Sequence, residues 1–433
     1  MTTIVPTAGT RDPSGLRIAM LLYGDITFDS RVQREANSLA RAGHSVTIFC
    51  LGGAPSTAAE LHPSVAVRTV TVRDRPGLPH SPSPFLATMG IARYVRRVTW
   101  LAAYARNLWS WGRKLGRTAD GFDAWHAHDF NGLLAARIAR PAGTALIYDL
   151  HDLHLETYTG ARLPLPIRRI LRWYERRLLR AVDLVVTVND GLAEYHRRHF
   201  GEGRPIVVVH NCAPTWTPPD PLPTLLRDAA GIPRDEPVVL YHGVIDVERG
   251  LDIACAAMLE PGLERAHLVL MGFGPERPYF ATLAREARYG GRIHLVDPVS
   301  PGQLMPWVAS ADVGVMPEES RTLNLRLSTP NKLFESIGAG LPVVSSDFPV
   351  RRRIVLDETL GPLGALCDPA DPRSLANAVR SIISLDDDAR AAMRRRCTAA
   401  ARLRWNWDAE VRTMVEGYRR IANERRIGGL ARS

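Results

Sequence analysis

The sequence of 433 residues lacks several patterns that would define its class immediately. Its five cysteines stand far apart, at positions 50, 212, 255, 367 and 397, and form no C-x-x-C pair. This spacing excludes a disulfide framework and a cysteine zinc site, and it predicts buried free thiols in a reducing compartment. No run of about 18 uncharged apolar residues is present, so no segment is expected to span a membrane. The first residues carry no apolar core behind a basic start, so no secretion signal is predicted.

Acidic residues are missing from one long stretch of a chain whose formal net charge is +10. No Asp or Glu occurs between Arg75 and Ala119, where arginine and lysine recur beside Trp100, Trp109 and Trp111. An acid-free helix with tryptophans is typical of a membrane-surface element, but it equally fits a core helix with a solvated basic face. An anionic membrane surface is therefore a predicted partner. Nucleic acid is not, because the basic residues follow no nucleic-acid-binding module.

A glycine-rich dinucleotide fingerprint is absent as well. Residues 16–23 read as a buried strand, 31–41 as a helix and 46–51 as a second strand, which is a βαβ opening. The loop after the first strand has one glycine, Gly24, and no G-x-G-x-x-G, which argues against a nicotinamide or flavin dinucleotide. Asp29 and Ser30 lie where a helix cap is expected.

The chain is too long for one ordinary core and suits two domains. The clearest boundary is the proline-rich stretch TWTPPDPLP, after which strands and helices alternate again. The predicted fold class is α/β, with two Rossmann-like doubly wound domains. We predict a disordered tail at 1–15, a first domain at 16–211, a linker at 212–236, a second domain at 237–404 and a closing segment at 405–433.

The most informative stretch is 325–346, LRLSTPNKLFESIGAGLPVVSS. Its pattern predicts a loop, a helix capped by Thr329, a turn and a buried strand. Gly340 lies just after the helix, where a positive φ is wanted.

The polar residues of this helix suggest a ligand. Asn331 and Lys332 lie in its first turn, where free backbone N–H groups and the helix dipole favour an anion such as a diphosphate. Glu335 shares their face and suits sugar hydroxyls. A solvated Lys–Glu pair on an amphipathic helix is the simpler alternative.

The run PNKLFESIGAGLPVVSSD resembles the donor-binding signature of family 4 glycosyltransferases, which are retaining, nucleotide-sugar-dependent enzymes of the GT-B fold. The resemblance implies two domains facing across a cleft, with the nucleotide on the second domain. It places the ribose on Glu335 and the phosphates at the start of the helix. The family pattern usually has an earlier Glu as well, at a position that Leu327 occupies here.

The resemblance extends over most of the chain. The DSRV start at 29–32 implies that Arg31, beside Asp29 and Ser30, faces the donor diphosphate or the acceptor. The pair His128-Asp129 implies that His128 lies beside the donor sugar and stabilises leaving-group charge, although it could simply cap the following helix.

In the second half, Arg249 matches a cation that the family aims at the diphosphate, whereas Val244 replaces a second basic residue. The last segment resembles a helix that returns to the first domain. The remaining nucleotide-sugar contacts that the resemblance implies are backbone atoms at Gly24, Gly243, Gly272, Gly274 and Val299.

Histidines and aspartates cluster after two predicted strands, at 126–129 and 149–154, and such clusters can bind metal. They lack helical metal-ligand spacing, and the resembled fold generally needs no metal. We therefore assign no metal to His126, His128, His151 or His154, and no cofactor.

The predicted activity is retaining transfer of a hexosyl group from a nucleoside-diphosphate sugar, with UDP favoured, to a hydroxyl group. The acceptor would be a glycan or lipid-linked molecule of cell-envelope or exopolysaccharide synthesis. His128, Arg249 and Lys332 would act electrostatically in a cytoplasmic protein, peripheral on the inner face of the membrane. The alternatives are a sugar-nucleotide epimerase or hydrolase, and a non-catalytic glycan- or lipid-binding subunit of the same fold.

Overall fold

The computed structural model describes residues 3–4, 15–53, 61–72, 90–319 and 321–430. Two sheets organise this part of the chain, one of eight strands and one of six. Most of the predicted tail, residues 73–89 of the acid-free stretch and the side chains of Arg93, Arg96 and Arg97 lie outside the described residues.

The first sheet has the strand order β1-β4-β3-β2-β5-β6-β7-β8. All its neighbouring strands are parallel except β1 and β4, which are antiparallel. The strand order reverses between β2 and β5, and the crevice at such a reversal is where open α/β sheets bind ligands. The strands are β1 (Thr3–Ile4), β2 (Arg17–Asp25), β3 (Ser45–Gly52), β4 (Val65–Thr69), β5 (Ala124–His128), β6 (Ala145–Leu150), β7 (Leu184–Thr187) and β8 (Ile206–Val208).

The second sheet is entirely parallel, in the order β11-β10-β9-β12-β13-β14. Its order reverses between β9 and β12, so a second ligand crevice is expected at the carboxyl ends of these two strands. The strands are β9 (Val238–Val244), β10 (His267–Phe273), β11 (Ile293–Val296), β12 (Val313–Met316), β13 (Val343–Ser346) and β14 (Gly364–Cys367).

The helices cover the faces of the two sheets, and the central strands are therefore apolar on both faces. The helices before the second sheet are α1 (Ser30–Arg41), α2 (Gly90–Thr118), α3 (Asp129–Ala139), α4 (Tyr158–Ala161), α5 (Leu165–Leu179), α6 (Asp190–Phe200) and α7 (Leu225–Ala230). Those that follow are α8 (Leu251–Ala257), α9 (Arg277–Leu283), α10 (Leu304–Ala309), α11 (Leu323–Leu327), α12 (Asn331–Gly338), α13 (Pro349–Val355), α14 (Pro372–Ile383), α15 (Asp387–Leu403) and α16 (Trp407–Leu430). Short 3-10 helices lie at Ile26–Phe28, His154–Glu156, Val247–Arg249, Ala287–Tyr289 and Pro301–Gln303.

The chain passes between the two sheets twice, and the two passages lie side by side. The backbone N–H of Trp407, at the start of α16, donates to the carbonyl oxygen of Ala213 over 3.1 Å. Next to it, a Glu410 carboxylate oxygen lies 2.9 Å from His210 Nδ1. From there α16 packs on the first sheet, where Trp407, Met414 and Tyr418 join its buried core.

Several sequence predictions are confirmed with small shifts in bounds. The βαβ opening is present, Asp29 caps α1 by accepting from the Val32 N–H over 3.0 Å, and Gly340 has a φ of 69° just after α12. All five cysteine thiols are free and buried. Within the described residues, none of the helices has both the length and the apolar content needed to cross a membrane.

Other predictions are corrected. Helix α12 begins at Asn331 with Pro330 as its flanking residue, and Thr329 does not cap it. The end of the predicted linker is helical, because Leu226 anchors α7 in the core of the second sheet. In the acid-free helix α2, Trp109 is exposed but Trp111 is fully buried in the first core, so Trp111 is not an interfacial tryptophan.

Candidate active site

At the strand-order reversal of the second sheet, a buried carboxylate holds several cations. Glu318 follows the end of β12 and is completely inaccessible to solvent. One of its oxygens, Oε1, lies 2.9 Å from Lys332 Nζ and 3.8 Å from Arg249 Nη1. The other, Oε2, accepts from Arg351 Nη1 over 2.5 Å. Lys332 and Arg249 are the two cations that the family resemblance assigns to the diphosphate, and both approach Glu318.

Electrostatic interactions determine the protonation state of Glu318 and the net charge of the group that it forms with Lys332, Arg249 and Arg351. Burial alone would raise the pKa of Glu318, but the charges of Lys332, Arg351 and Arg249 outweigh burial and lower it to about 2. Glu318 is therefore ionised at neutral pH. One carboxylate facing three cations leaves an excess of two positive charges in this group, which suits an anion of similar charge such as a diphosphate.

The Lys332 side chain is held from several sides, as expected for a residue in the first turn of α12. Its ammonium group donates to the Tyr241 hydroxyl over 3.1 Å and lies 4.2 Å from the centre of that ring. It also passes close to Gly243, where φ is 119° and an added Cβ would lie 3.7 Å from Lys332 Cε. A solvated surface pair is thus excluded for Lys332, which is buried.

Glu335 lies one turn along α12 and is paired with a residue that sequence reasoning missed. His242, in β9, places its Nε2 3.0 Å from Glu335 Oε2. Burial opposes ionisation of Glu335, but the His242 hydrogen bond and the nearby Arg34 and Lys332 charges prevail, and they lower its pKa. An ionised Glu335 can accept hydrogen bonds from a ligand's hydroxyl groups at the same crevice.

The structure gives other reasons for two of the predicted glycines. A Cβ at Gly272 would lie 1.9 Å from the carbonyl oxygen of Gly243, and one at Gly274 would lie 2.1 Å from that of Ile245. Close packing between β9 and the end of β10 therefore requires both glycines whether or not a ligand binds. Val299 lies in the loop after β11 and packs against the core of the second sheet.

At the other reversal, Arg31 occupies a different place from the one predicted. Its guanidinium is buried and lies 2.8 Å from Glu35 and 3.1 Å from Asp149. It also donates to the Val209 carbonyl oxygen over 2.7 Å and to Asn211 Oδ1 over 2.8 Å. Arg31 therefore neutralises buried carboxylates and ties α1 to the end of the first domain.

His128 also lies in this buried network, at the end of β5. Its Nδ1 lies 3.2 Å from Asp149 Oδ2, and His151 Nε2 lies 2.5 Å from the same oxygen. Burial and the neighbouring His126 lower the pKa of His128 to about 3, so its ring is neutral at physiological pH. Burial would also lower the pKa of His151, but the carboxylates of Asp149 and Asp129 raise it to about 10.

The neutral ring of His128 restricts what the residue can do. A neutral imidazole has one N–H. If it donates from Nδ1 to Asp149, its Nε2 carries only a lone pair, which can accept a hydrogen bond but not donate one. In that tautomer Nε2 would offer no donor to a leaving phosphate, and the role of His128 stays a prediction. The capping alternative is not supported, since the His128 side chain makes no cap hydrogen bond to α3.

The loops around the first reversal carry the remaining predicted residues. Gly24 lies within the last residues of β2, and the Ser30 hydroxyl lies 3.5 Å from Arg34 Nη2 at the start of α1. Asp129 follows β5 with a φ of 56°, the one positive φ of a non-glycine residue in the part of the chain that the structure describes. Such strain is often found at functional sites, and here it turns the chain sharply into α3.

Four side chains of the network have the types and spacing of metal ligands. One ligand atom from each of Glu35, His126, His128 and Asp149 lies within 4.8 Å of the others. The Arg31 guanidinium already contacts both carboxylates and supplies positive charge there. The four side chains are therefore of types that can bind a metal ion. The Arg31 guanidinium already balances negative charge there, so the group does not need a metal ion for that purpose.

The two domains contact one another along one side of the cleft, through α11 and the segment that follows it. Asn324 Oδ1 accepts from the Leu153 N–H over 2.7 Å, and its Nδ2 donates to Asp152 over 2.8 Å. Asn189 Nδ2 donates to the Leu327 carbonyl oxygen over 2.8 Å. The Leu327 side chain packs against the core of the first sheet. The residue that replaces the first glutamate of the resembled pattern therefore serves as a contact between domains.

Two mainly parallel sheets, each with a reversal of strand order where a ligand crevice is expected, define a two-domain protein of the Rossmann-like α/β class. Family models match on both halves. Residues 29–212 match one described as "Glycosyl transferase 4-like domain", and residues 236–385 match one described as "Glycosyl transferases group 1". The chain belongs to the family 4 glycosyltransferases, and it is a transferase.

Two curated relatives are similar along most of their length. A D-inositol 3-phosphate glycosyltransferase of Xylanimonas cellulosilytica is 26% identical over 96% of this chain and 99% of its own. A glycogen synthase of Mycobacterium tuberculosis is 28% identical over 87% of this chain and 86% of its own.

Solved structures share the fold. Sucrose-phosphate synthase from Thermosynechococcus elongatus superposes with a TM-score of 0.67, at 20% identity, over 94% of this chain and 99% of its own. HepE from Anabaena, in complex with UDP and glucose, superposes with a TM-score of 0.66, at 17% identity, over 93% of this chain and 98% of its own. The prediction of a GT-B fold is confirmed.

Proposed function

We propose that this enzyme transfers a hexosyl group, with retained configuration, from a nucleoside-diphosphate sugar to a hydroxyl group of a glycan or lipid-linked acceptor. UDP is the favoured nucleotide, and cell-envelope or exopolysaccharide synthesis is the favoured context. The enzyme would act in the cytoplasm, on the inner face of the membrane. The acceptor would approach from the first domain.

One observation carries this proposal. Lys332 and Arg249 approach the same buried oxygen of Glu318 at the strand-order reversal of the second sheet, and Glu335 lies one turn further along α12. Cations with a surplus of positive charge suit a diphosphate, and an adjacent carboxylate suits a ribose. As the diphosphate leaves, its growing charge would meet fixed cations, which is the usual source of electrostatic catalysis.

The donor is tested by thermal unfolding with UDP-, GDP-, ADP- and dTDP-sugars. A ligand at about 100 times its Kd stabilises the native state by about 2.7 kcal/mol, so the true donor should raise Tm above the others. The anomeric configuration of the product, read by NMR, tests retention. Release of free sugar or an isomer at the same rate with and without acceptor would favour an epimerase or hydrolase instead.

Replacing Glu335 with alanine should weaken binding of the nucleoside diphosphate. Two charge-assisted hydrogen bonds to ribose hydroxyls are worth about 1.5–3 kcal/mol each, so Kd should rise about tenfold or more. Isothermal titration calorimetry measures this change. Glu286→Ala removes an exposed carboxylate of the same domain and is the control. Unchanged affinity of Glu335→Ala for the nucleoside diphosphate would show that Glu335 does not bind the nucleotide.

Activity should survive a chelator, because we assign no metal to the buried network of Glu35, His126, His128 and Asp149. Arg31 already provides the positive charge that this network needs. Turnover is measured before and after dialysis against EDTA, together with the metal content of the protein. Loss of turnover that one divalent ion restores would contradict this assignment.

A further inference from the structure

The surface of helix α5 has the chemistry of a membrane contact. The exposed fraction is 65% for Leu165, 62% for Ile170 and 62% for Trp173. Ile170 and Trp173, with Pro166, lie at helical spacing on one stripe, and Leu165 adjoins it. Exposed apolar residues are ordinary singly, but a contiguous group of this size on one helix marks a contact surface.

Positive charge surrounds this apolar stripe. Between Leu165 and Arg180 the sequence has six arginines and a single acidic residue, Glu175. Glu175 is buried and points inward, where it accepts a hydrogen bond from the Tyr148 hydroxyl over 3.2 Å. It therefore does not offset the charge outside. The exposed arginines are Arg169, Arg176, Arg177 and Arg180.

The inward side of α5 fixes how this face is presented. Leu178 and Leu179 are buried in the core of the first sheet. On the flank, Glu156 pairs with Arg168 over 3.0 Å and also with Arg172. These contacts hold the helix on the body of the domain, so the apolar stripe stays outside without a change in fold.

We propose that the outward face of α5 docks the enzyme on an anionic lipid surface. Its apolar first half would enter the interface, where indole and aliphatic side chains are favoured, and its basic second half would meet lipid phosphates. A second copy of the chain fits less well, since a symmetric pairing would oppose four exposed arginines to the same four. The docking face extends the proposed function by naming the surface that meets the membrane.

The segment just before α5 in the sequence contacts the second domain at the edge of the cleft. The 3-10 helix His154–Glu156 precedes α5, and the backbone N–H of Leu153, just before that helix, donates a hydrogen bond to Asn324 Oδ1 of the second domain. Glu156 in turn anchors α5 through Arg168 and Arg172. Docking through α5 would thus hold the cleft beside the lipid surface.

The test is sedimentation of the full chain with vesicles of phosphatidylcholine alone or mixed with phosphatidylglycerol, across a range of salt. Wild type should bind only the anionic vesicles, and rising salt should release it. Ile170→Ala with Trp173→Ala should lower the partition coefficient about tenfold or more. Replacing Arg169, Arg177 and Arg180 with Gln should lower the partition coefficient about tenfold to a hundredfold at low salt.

Two further variants separate this face from others. The triple change of Arg285, Arg373 and Arg395 to Gln removes the same charge from exposed sites of the second domain and should leave binding unchanged. Trp109→Ala tests the exposed tryptophan of α2. Loss of binding in Trp109→Ala, with normal binding in the Ile170 and Trp173 variant, would overturn the proposal in favour of α2.

The remaining outcomes are also decisive. Equal recovery of wild type in the supernatant with neutral and anionic vesicles at low salt would overturn the docking face. A dimer in sedimentation velocity that the Trp173 change converts to monomer, with vesicle binding unaltered, would show a contact between copies and overturn it too. Turnover of donor with a soluble acceptor is measured in parallel, so failure of the proposed activity is seen separately.

Discussion

Glu318→Ala is expected to lower the free energy of unfolding by about 3–5 kcal/mol, because it leaves buried cations without their partner. Arg351 is fully buried and Lys332 nearly so, and both depend on this carboxylate. Denaturant unfolding monitored by circular dichroism measures the change. Glu319→Ala is the matched control. Glu319 pairs with Arg321 on the surface, so its loss should stay within about 0.5 kcal/mol.

The pH dependence of this effect has a definite sign. The pKa of Glu318 is lowered in the folded protein, from an ordinary value of 4.5 to about 2. Its ionised form therefore stabilises the fold above about pH 4.5, and this contribution is lost as pH falls toward 2. The stability difference between wild type and Glu318→Gln should be largest near neutral pH and shrink below pH 4.5. A constant difference across that range would contradict the assignment of charge to Glu318.

Lys332→Ala and Arg249→Ala should each lower turnover about a hundredfold while changing affinity for the uncharged nucleoside little. Both cations are proposed to meet charge that grows on the leaving phosphate, and one such group contributes roughly 10²–10³ in kcat. Initial rates at saturating donor give kcat, and calorimetry gives nucleoside affinity. Arg249 is the cleaner test, since it is the more exposed of the two and lies furthest from Glu318.

Arg288→Ala provides the comparison for these two variants, because it removes an exposed cation from the same domain. It should keep wild-type turnover. If Lys332→Ala and Arg249→Ala kept it as well, the diphosphate site would have to lie elsewhere in the cleft. If Lys332→Ala lost stability but kept its turnover, Lys332 would have a structural role through Glu318 and no catalytic role.

Much of the architecture follows from local patterns in the sequence. Apolar runs bounded by turns predict the central strands, and the stretch at 325–346 predicts helix α12 and the positive φ of Gly340. These features depend on neighbours within a few residues along the chain. The same is true of the Asp29 cap, which needs only the N–H three residues on.

The missed features depend on contacts distant in sequence. Glu318 lies in a short loop that reads as polar surface, and its burial arises only when the end of β12 meets α12 and Arg351 of α13. Arg31 belongs to a run that resembles a ligand-facing helix start, yet Asp149 of β6 and Asn211 draw it inward. No local period distinguishes a buried charge of this kind from an exposed one.

The side-by-side passages between the domains bear on how the enzyme opens. Ala213 and His210 of one passage bond to Trp407 and Glu410 of the other, so both chain segments form a single pivot. Rotation about that pivot would part the contacts of Asn324 with the first domain while leaving α16 seated on its sheet. Each catalytic cycle would break a few hydrogen bonds at Asn324 and Asn189, together with the packing of Leu327 against the core of the first sheet.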